Sequence, residues 1–280
     1  MVITPQHSPG GDAGHRPAPR DGHHPPTARD VHRARAAGEF AQLSGALRIV
    51  IGAVLLALLL RTTVLEPFNV PSESMLPTLV AGDYLLVAKW PYGFSRFSPP
   101  FPWPLIDRRI GGGPPRRGDV VVFKTPRDNR TDFIKRIIGL PGDRVRMTGG
   151  QIELNGVLVP KIPAGSVVDQ ADGLVCHDGS KIIGGGCTYP RFVEMLGDRR
   201  YAVADEVSGD PRDDTPLVTV PAGHYFVAGD NRDDSADSRL SIADGGVGMV
   251  PAVNIVGRAE VVFFSIGTHG IRWARIGTCL

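Results

Sequence analysis

Residues 132–143 read DFIKRIIGLPGD, and just upstream residues 117–124 read RGDVVVFK. Each contains a short apolar run bounded by Gly, Pro or Asp, the pattern of a strand that ends in a turn. Over 132–138 the two-residue period of a strand puts Phe133, Lys135 and Ile137 on one face and Ile134, Arg136 and Ile138 on the other. Lys135 is thus flanked by apolar side chains while the nearest cation points away. A strand lysine ordinarily stands in water, whereas burial disfavours the ammonium and lowers its pKa from ~10.4 by up to ~5 units. A lysine made neutral in this way can act as a base.

Similar runs lie at 84–88, 119–123, 151–154, 217–220, 224–228 and 255–264, with no internal repeat. The chain of 280 residues holds 35 Gly and 25 Pro but only 7% aromatics, which suits many turns joining short strands rather than a helical bundle. The fold class expected is mainly β, and 42% hydrophobic residues suffice for one large core or two modest ones. Lys and Arg number 31 against 29 Asp and Glu, a balance that excludes nucleic acid as the main partner. All of the net charge of +2 falls within residues 1–48, which hold six Arg and four acidic residues.

Residues 1–39 contain six Pro, five Gly and five His without apolar periodicity, which predicts a disordered tail. The His23–His24 pair has no second ligand cluster at a usable spacing, so no metal site is expected. The run IVIGAVLLALLL, residues 49–60, is short of the ~20 residues that span a bilayer. Widened to 45–64, the segment carries only Arg48 and Arg61, each near an end where it can snorkel. No Ala-x-Ala follows, which predicts an uncleaved anchor rather than a removable signal peptide, the alternative being a buried helix of a soluble domain. Arg33, Arg35 and Arg48 precede the run and only Arg61 follows closely, so the tail stays in the cytoplasm and everything after Leu65 is exported. Glu66-Pro67 ends the helix.

Residues 90–115 are too rich in proline for a central strand yet hold Trp90, Phe94, Phe97, Phe101 and Trp103. This loop either rests on a membrane interface or packs over the end of a barrel. Cys176 and Cys187, on the exported side, are either bridged or two free thiols, and Cys279 is left unpaired.

Phosphate-loop, HExxH, CxxC and GxSxG patterns are absent, and His177, His224 and His269 lie in no setting that suggests a catalytic base. Two further segments stand out beside 132–143. In PSESMLPT, residues 71–78, two prolines restrict the backbone around Ser72 and Ser74. GDNRDDSADSR, residues 229–239, is dense in Asp but lacks the Gly and Glu of a calcium loop in any usable register. It is either a turn held by Asx-type bonds or a network pairing Asp237 with Arg239 around a polar site.

In their order along the chain, these segments resemble the bacterial type I signal peptidases of peptidase family S26, membrane-bound Ser/Lys endopeptidases. The resemblance runs from the anchor through PSESM, GDYL at 82–85, RGDVVVF, IKRIIGLPGD and GDNRDDSADSR to a Val-Pro at 250–251. It implies that Ser74 is the nucleophile and Lys135 the general base, with Ser72 binding the oxyanion and Ser235 orienting the lysine. Asp237, Arg239 and Arg136 would be structural supports, and Phe68, Val70, Met75 and Ile134 would line shallow pockets for small side chains. No cofactor or metal is implied. The implied organisation is a tail (1–44), a transmembrane anchor (45–65) and a β-rich catalytic domain (66–149 and 222–280) interrupted by an inserted β domain (150–221). The implied partners are signal peptides of secretory preproteins and the lipid bilayer. The implied location is the bacterial cytoplasmic membrane, single-pass, with the N-terminus cytoplasmic and the catalytic domain on the periplasmic side. Two features depart from the family pattern: Glu73, expected to face solvent, stands where many members have glycine, and LSIADGGVGMVP (240–251) is longer than the usual link. A LexA-type self-cleaving regulator would need a DNA-binding helix-turn-helix and no anchor. A non-catalytic anchored binding module would have no use for both Ser74 and Lys135.

Overall fold

The computed structural model describes Arg29, Gly45 and residues 47–57, 65–98, 108–169, 181–183, 186–205 and 209–280. Most of the expected tail, residues 58–64 of the expected anchor, Phe101, Trp103, Cys176 and His177 lie outside them, as does the Cys187 side chain. Whether Cys176 and Cys187 are bridged thus lies outside the described residues, whereas Cys279 is free and exposed. Residues 47–57 are helical, with Leu47, Ile49, Val50, Ile51, Val54, Leu55 and Leu56 exposed. No helix among the described residues is long and apolar enough to cross a membrane.

The remainder is mainly β. Strands β1 (Leu65–Asn69), β2 (Asp83–Ala88), β3 (Val120–Lys124) and β4 (Asp132–Gly139) come first. They are followed by β5 (Arg144–Thr148), β6 (Gln151–Leu154), β7 (Val157–Leu158), β8 (Lys161–Asp169), β9 (Lys181–Ile183), β10 (Gly186–Leu196), β11 (Arg199–Ala204) and β12 (Val218–Thr219). Last are β13 (His224–Ala228), β14 (Val250–Pro251), β15 (Ile255–Gly267) and β16 (Gly270–Ile271). The strands expected at 151–154 and 224–228 form with those bounds, and the others within a few residues. Leu65, expected to close the anchor, already belongs to β1 and pairs with Ala88.

Among the described residues the main sheet has eight strands in the order β1-β2-β15-β3-β4-β13-β14, with β16 on β15, every pair antiparallel. β15 lies between β2 and β3 and breaks register against both. Gly257 permits this close approach, since a Cβ there would lie 2.4 Å from the Ala88 carbonyl oxygen. The apolar run of β3 is buried on both faces: Val120 and Val122 pack with Ile134, Val70, Met75 and Leu79, and Val121 and Phe123 with Phe133 and Ile137. β4 thus places Ile134 in one cluster and Phe133 and Ile137 in another, as a two-residue period requires.

Two smaller sheets, β11-β10-β8 with β9 on β10 and β12-β5-β6-β7, are made between β4 and β13. Since β5 pairs with β6 and β12, the smaller sheets begin at Arg144, ahead of the expected boundary at residue 150. They pack on the main sheet through Val145, Met147, Ile152, Tyr201 and Val203 against Ile138 and Phe226. Of the described aromatic loop residues, Phe97 is packed in the core and Trp90 is exposed.

Candidate active site

After β1 the chain makes a tight turn pinned at both ends, Val70 N–H donating to Asp83 O (2.8 Å) and Gly82 N–H to Val70 O (2.9 Å). Within it Leu76 N–H donates to Glu73 O and Leu79 N–H to Met75 O, both at 2.9 Å. Met75, Leu76 and Leu79 are buried. With its following residues anchored in the core, Ser74 turns its hydroxyl the other way, toward β4.

There Lys135 Nζ lies 2.6 Å from Ser74 Oγ, and 5.5 Å from the centre of the Phe133 ring. Lys135 is 3% exposed, and this burial pushes its amine down from 10.5 to about 8. Asp237, Asp234 and Asp230 pull it up in part, and Arg239 pulls it down. An amine titrating near neutrality and in contact with a hydroxyl can accept that hydroxyl's proton. Ser72 Oγ stands 3.5 Å from Ser74 Oγ, so the two hydroxyls open together.

They open into a cleft of about 480 Å³ lined by Phe68, Val70, Met75 and Ile134 beside Ser72, Ser74 and Lys135. Every residue that the sequence assigns to nucleophile, base, oxyanion or substrate contact therefore meets at one cleft. Asn69, Thr131, Asp132, Phe133, Asp234 and Ala236 also line it and were not singled out from sequence. Proximity in the chain to Ser72 or Lys135 was the available signal for Asn69, Thr131, Asp132 and Phe133, and a place on either side of Ser235 for Asp234 and Ala236.

Arg136, Asp237 and Arg239 sit behind the cleft. Arg136 donates to both oxygens of Asp230 (2.8 and 2.6 Å) and to Gly118 O (2.7 Å). Asp230 also accepts from Thr78 Oγ1 at 2.5 Å, on the serine turn. Asp237 is fully buried and accepts from Gly229 N–H (3.0 Å) and from Arg239 Nε and Nη2 (2.9 and 2.8 Å). Burial alone would raise the Asp237 carboxyl, but the Arg239 guanidinium and these hydrogen bonds hold it down at about 2. Asp237 is thereby a fixed anion near Lys135.

Two expectations change. Glu73 does not face open solvent: it is half-buried and accepts from Ala81 N–H (3.2 Å), because the turn folds back on itself and offers that donor. Ser235 is buried beside Gly229, and no hydrogen bond joins its hydroxyl to Lys135. His224 and His269 do not line the cleft.

The chain is 34% identical over 214 residues to a signal peptidase I of Rickettsia typhi, covering 76% of each chain. It is 39% identical over 216 residues to a signal peptidase I of Pseudomonas aeruginosa, covering 75% of this chain and 68% of that one. A crystal structure of a signal peptidase I from Enterococcus faecalis matches at 25% identity and a TM-score of 0.28, over 52% of this chain and 97% of that one. The model of the family described as signal peptidase, peptidase S26, matches residues 43–264. A match of that length takes in the serine turn, β4 and the 229–239 segment alike, and with it the chain belongs to the signal peptidase family, peptidase S26.

Proposed function

We propose that the chain cleaves signal peptides from exported preproteins, after small residues of the Ala-x-Ala type, through a Ser74–Lys135 dyad. The observation that carries this is the 2.6 Å approach of a buried amine, held near pKa 8, to the Ser74 hydroxyl at the edge of an apolar cleft. Neutral Lys135 takes the Ser74 proton as Oγ attacks the peptide carbonyl, and the backbone N–H of Ser74 with the Ser72 hydroxyl stabilises the oxyanion. Collapse breaks the C–N bond, and the Lys135 ammonium returns the proton to the departing amine. Water, deprotonated by Lys135, then cleaves the acyl-enzyme and restores the dyad. Phe68, Val70, Met75 and Ile134 leave room for small side chains near the scissile bond.

Residues 45–64 act as a single membrane anchor in this proposal, with the N-terminus cytoplasmic and the catalytic domain outside the bacterial cytoplasmic membrane. The exposure of the apolar side chains over 47–57 supports a lipid environment over a buried one. So does an apolar group on the main sheet and the turn after β16, where Tyr84, Phe263, Ile266, Ile271 and Trp273 are exposed, a composition suited to the headgroup region.

Incubated with a preprotein carrying Ala-x-Ala, the purified protein is expected to release the signal peptide, and Ser74→Ala to be slower by about 10⁴-fold or more. Equal cleavage by both would remove Ser74 from the mechanism. A chain beginning at Leu65 is expected to cut a soluble peptide with kcat/KM within a few-fold of the full chain while losing co-sedimentation with vesicles. An unfolded product would instead place 45–64 in the core.

A further inference from the structure

Glu194 on β10 is wholly buried in a strand. One carboxylate oxygen, Oε2, accepts from Arg232 Nη2 (2.5 Å) and from the Tyr201 hydroxyl on β11 (2.8 Å). Arg232 is 1% exposed and also donates from Nε to Gly229 O (3.2 Å). The backbone reinforces the junction: Arg232 N–H donates to Ala204 O and Ala204 N–H to Asp230 O, both at 2.8 Å. Residues 229–232 are therefore held along the end of β11 by main chain and side chain together.

Those four residues meet both halves of the dyad. Asn231 N–H donates to the Ser74 carbonyl (3.2 Å), and Asp230 takes the double bond from Arg136, the neighbour of Lys135 on β4. The Tyr201 ring lies under the Arg136 guanidinium, 4.1 Å from its carbon. Leu76, two residues beyond Ser74, packs against Tyr189 and Ala204 of the same inserted strands.

We propose that Glu194 and Tyr201 are positioning residues for the hydrolysis, acting through Arg232 and Arg136 to fix the distance between Ser74 and Lys135. The proposal rests on the dyad reading above and extends it, giving the inserted domain a part in catalysis. A buried ion pair adds little stability over apolar groups of the same volume, whereas it does fix two elements in one geometry. Displacing a reacting group by about 1 Å can cost about 100-fold in rate. Glu194 is the group whose length sets that position.

The test measures kcat, KM and thermal unfolding on the full chain for wild type, Ser74→Ala, Glu194→Asp, Tyr201→Phe and the double variant Glu194→Gln with Arg232→Met. Glu194→Asp keeps the charge but withdraws it by one methylene, and should lower kcat by about 10- to 100-fold with KM within threefold. Tyr201→Phe should lower kcat several-fold. The double variant removes both charges, so it avoids the cost of a lone buried ion and keeps the test open should Glu194→Asp unfold. Its kcat should remain low. A purely structural role would move the unfolding temperature and leave kcat per folded molecule alone. Either Glu194→Asp or the double variant, folded and within threefold of the wild-type kcat, overturns the proposal. Equal activity of wild type and Ser74→Ala would instead overturn the dyad reading beneath it.

Discussion

Lys135→Met is expected to abolish cleavage while leaving the protein folded and, below pH 8, more stable than the wild type. Methionine keeps the apolar stem and volume but cannot accept a proton. The stability gain follows from the lysine's own titration, at about 8 in the folded protein against 10.5 for the free side chain. Below pH 8 the wild type carries a desolvated ammonium that the unfolded chain would leave in water. At about 1.4 kcal/mol per pKa unit this costs up to about 3 kcal/mol, a cost that fades as pH rises from 8 toward 10.5. Urea unfolding of both proteins from pH 6 to 10.5 should show the Met variant's advantage shrinking over that interval. The wild-type cleavage rate should rise with pH through a midpoint near 8, as the amine becomes free to take the Ser74 proton. Changing His177, His224 or His269 to Ala should lower the rate less than about tenfold, since the proposed chemistry does not pass through imidazole. A Lys135→Met protein with most of its activity, beside a dead histidine variant, would replace the Ser/Lys mechanism with a histidine-based one.

Gly229→Ala is expected to cost about 100-fold in kcat by pushing the nucleophile away from its base. A methyl at this position would lie 2.2 Å from Ser235 Oγ and 2.4 Å from the Ser74 carbonyl oxygen. The Ser235 hydroxyl can rotate. The Ser74 carbonyl cannot, because it is main chain and already accepts from Asn231 N–H. The serine turn or the 229–232 segment must therefore shift, and either motion opens the 2.6 Å gap between Ser74 Oγ and Lys135 Nζ. Overpacking of this kind also lowers stability by about 1–3 kcal/mol. Steady-state kinetics with thermal unfolding would separate the two effects, and a kcat within a few-fold of wild type would show that the turn can yield without moving the hydroxyl.

Five strands of the main sheet, β2, β3, β4, β13 and β15, were legible as short apolar runs closed by turn residues, as at 224–228 and 132–138, whereas β1, β14 and β16 were not. Nor were the longest inserted strands. β8 contains Pro163 and Gly165, and β10 contains Pro190 next to a register break, all of which ordinarily argue against a strand. Pro163 is tolerated in β8, an edge strand of its sheet. At the site, proline spacing and strand period only drew attention to Ser74 and Lys135, and their roles came from the family resemblance that the order of the segments carries. Glu194 gave no such sign, since a glutamate in a strand reads as a solvated residue until its partner is known. That partner, Arg232, lies 38 positions away and is brought to it only by the packing of the smaller sheets on the main sheet. Glu73 was misread for a similar reason: the donor that turns it inward, Ala81 N–H, is supplied by the fold-back of the serine turn.

The placement of β15 has a consequence for biosynthesis. A strand made late, β15, is the one inserted between β2 and β3, joining the strand beside the serine turn to the pair that carries the lysine. Until residues 255–267 arrive, the edge of β2 has no neighbour there and β3 is bound on one side only. Such non-local pairing is slow to form. The emerging polypeptide thus holds serine and lysine on separate unfinished pieces, so hydrolytic power is withheld until residues 255–267 have been made.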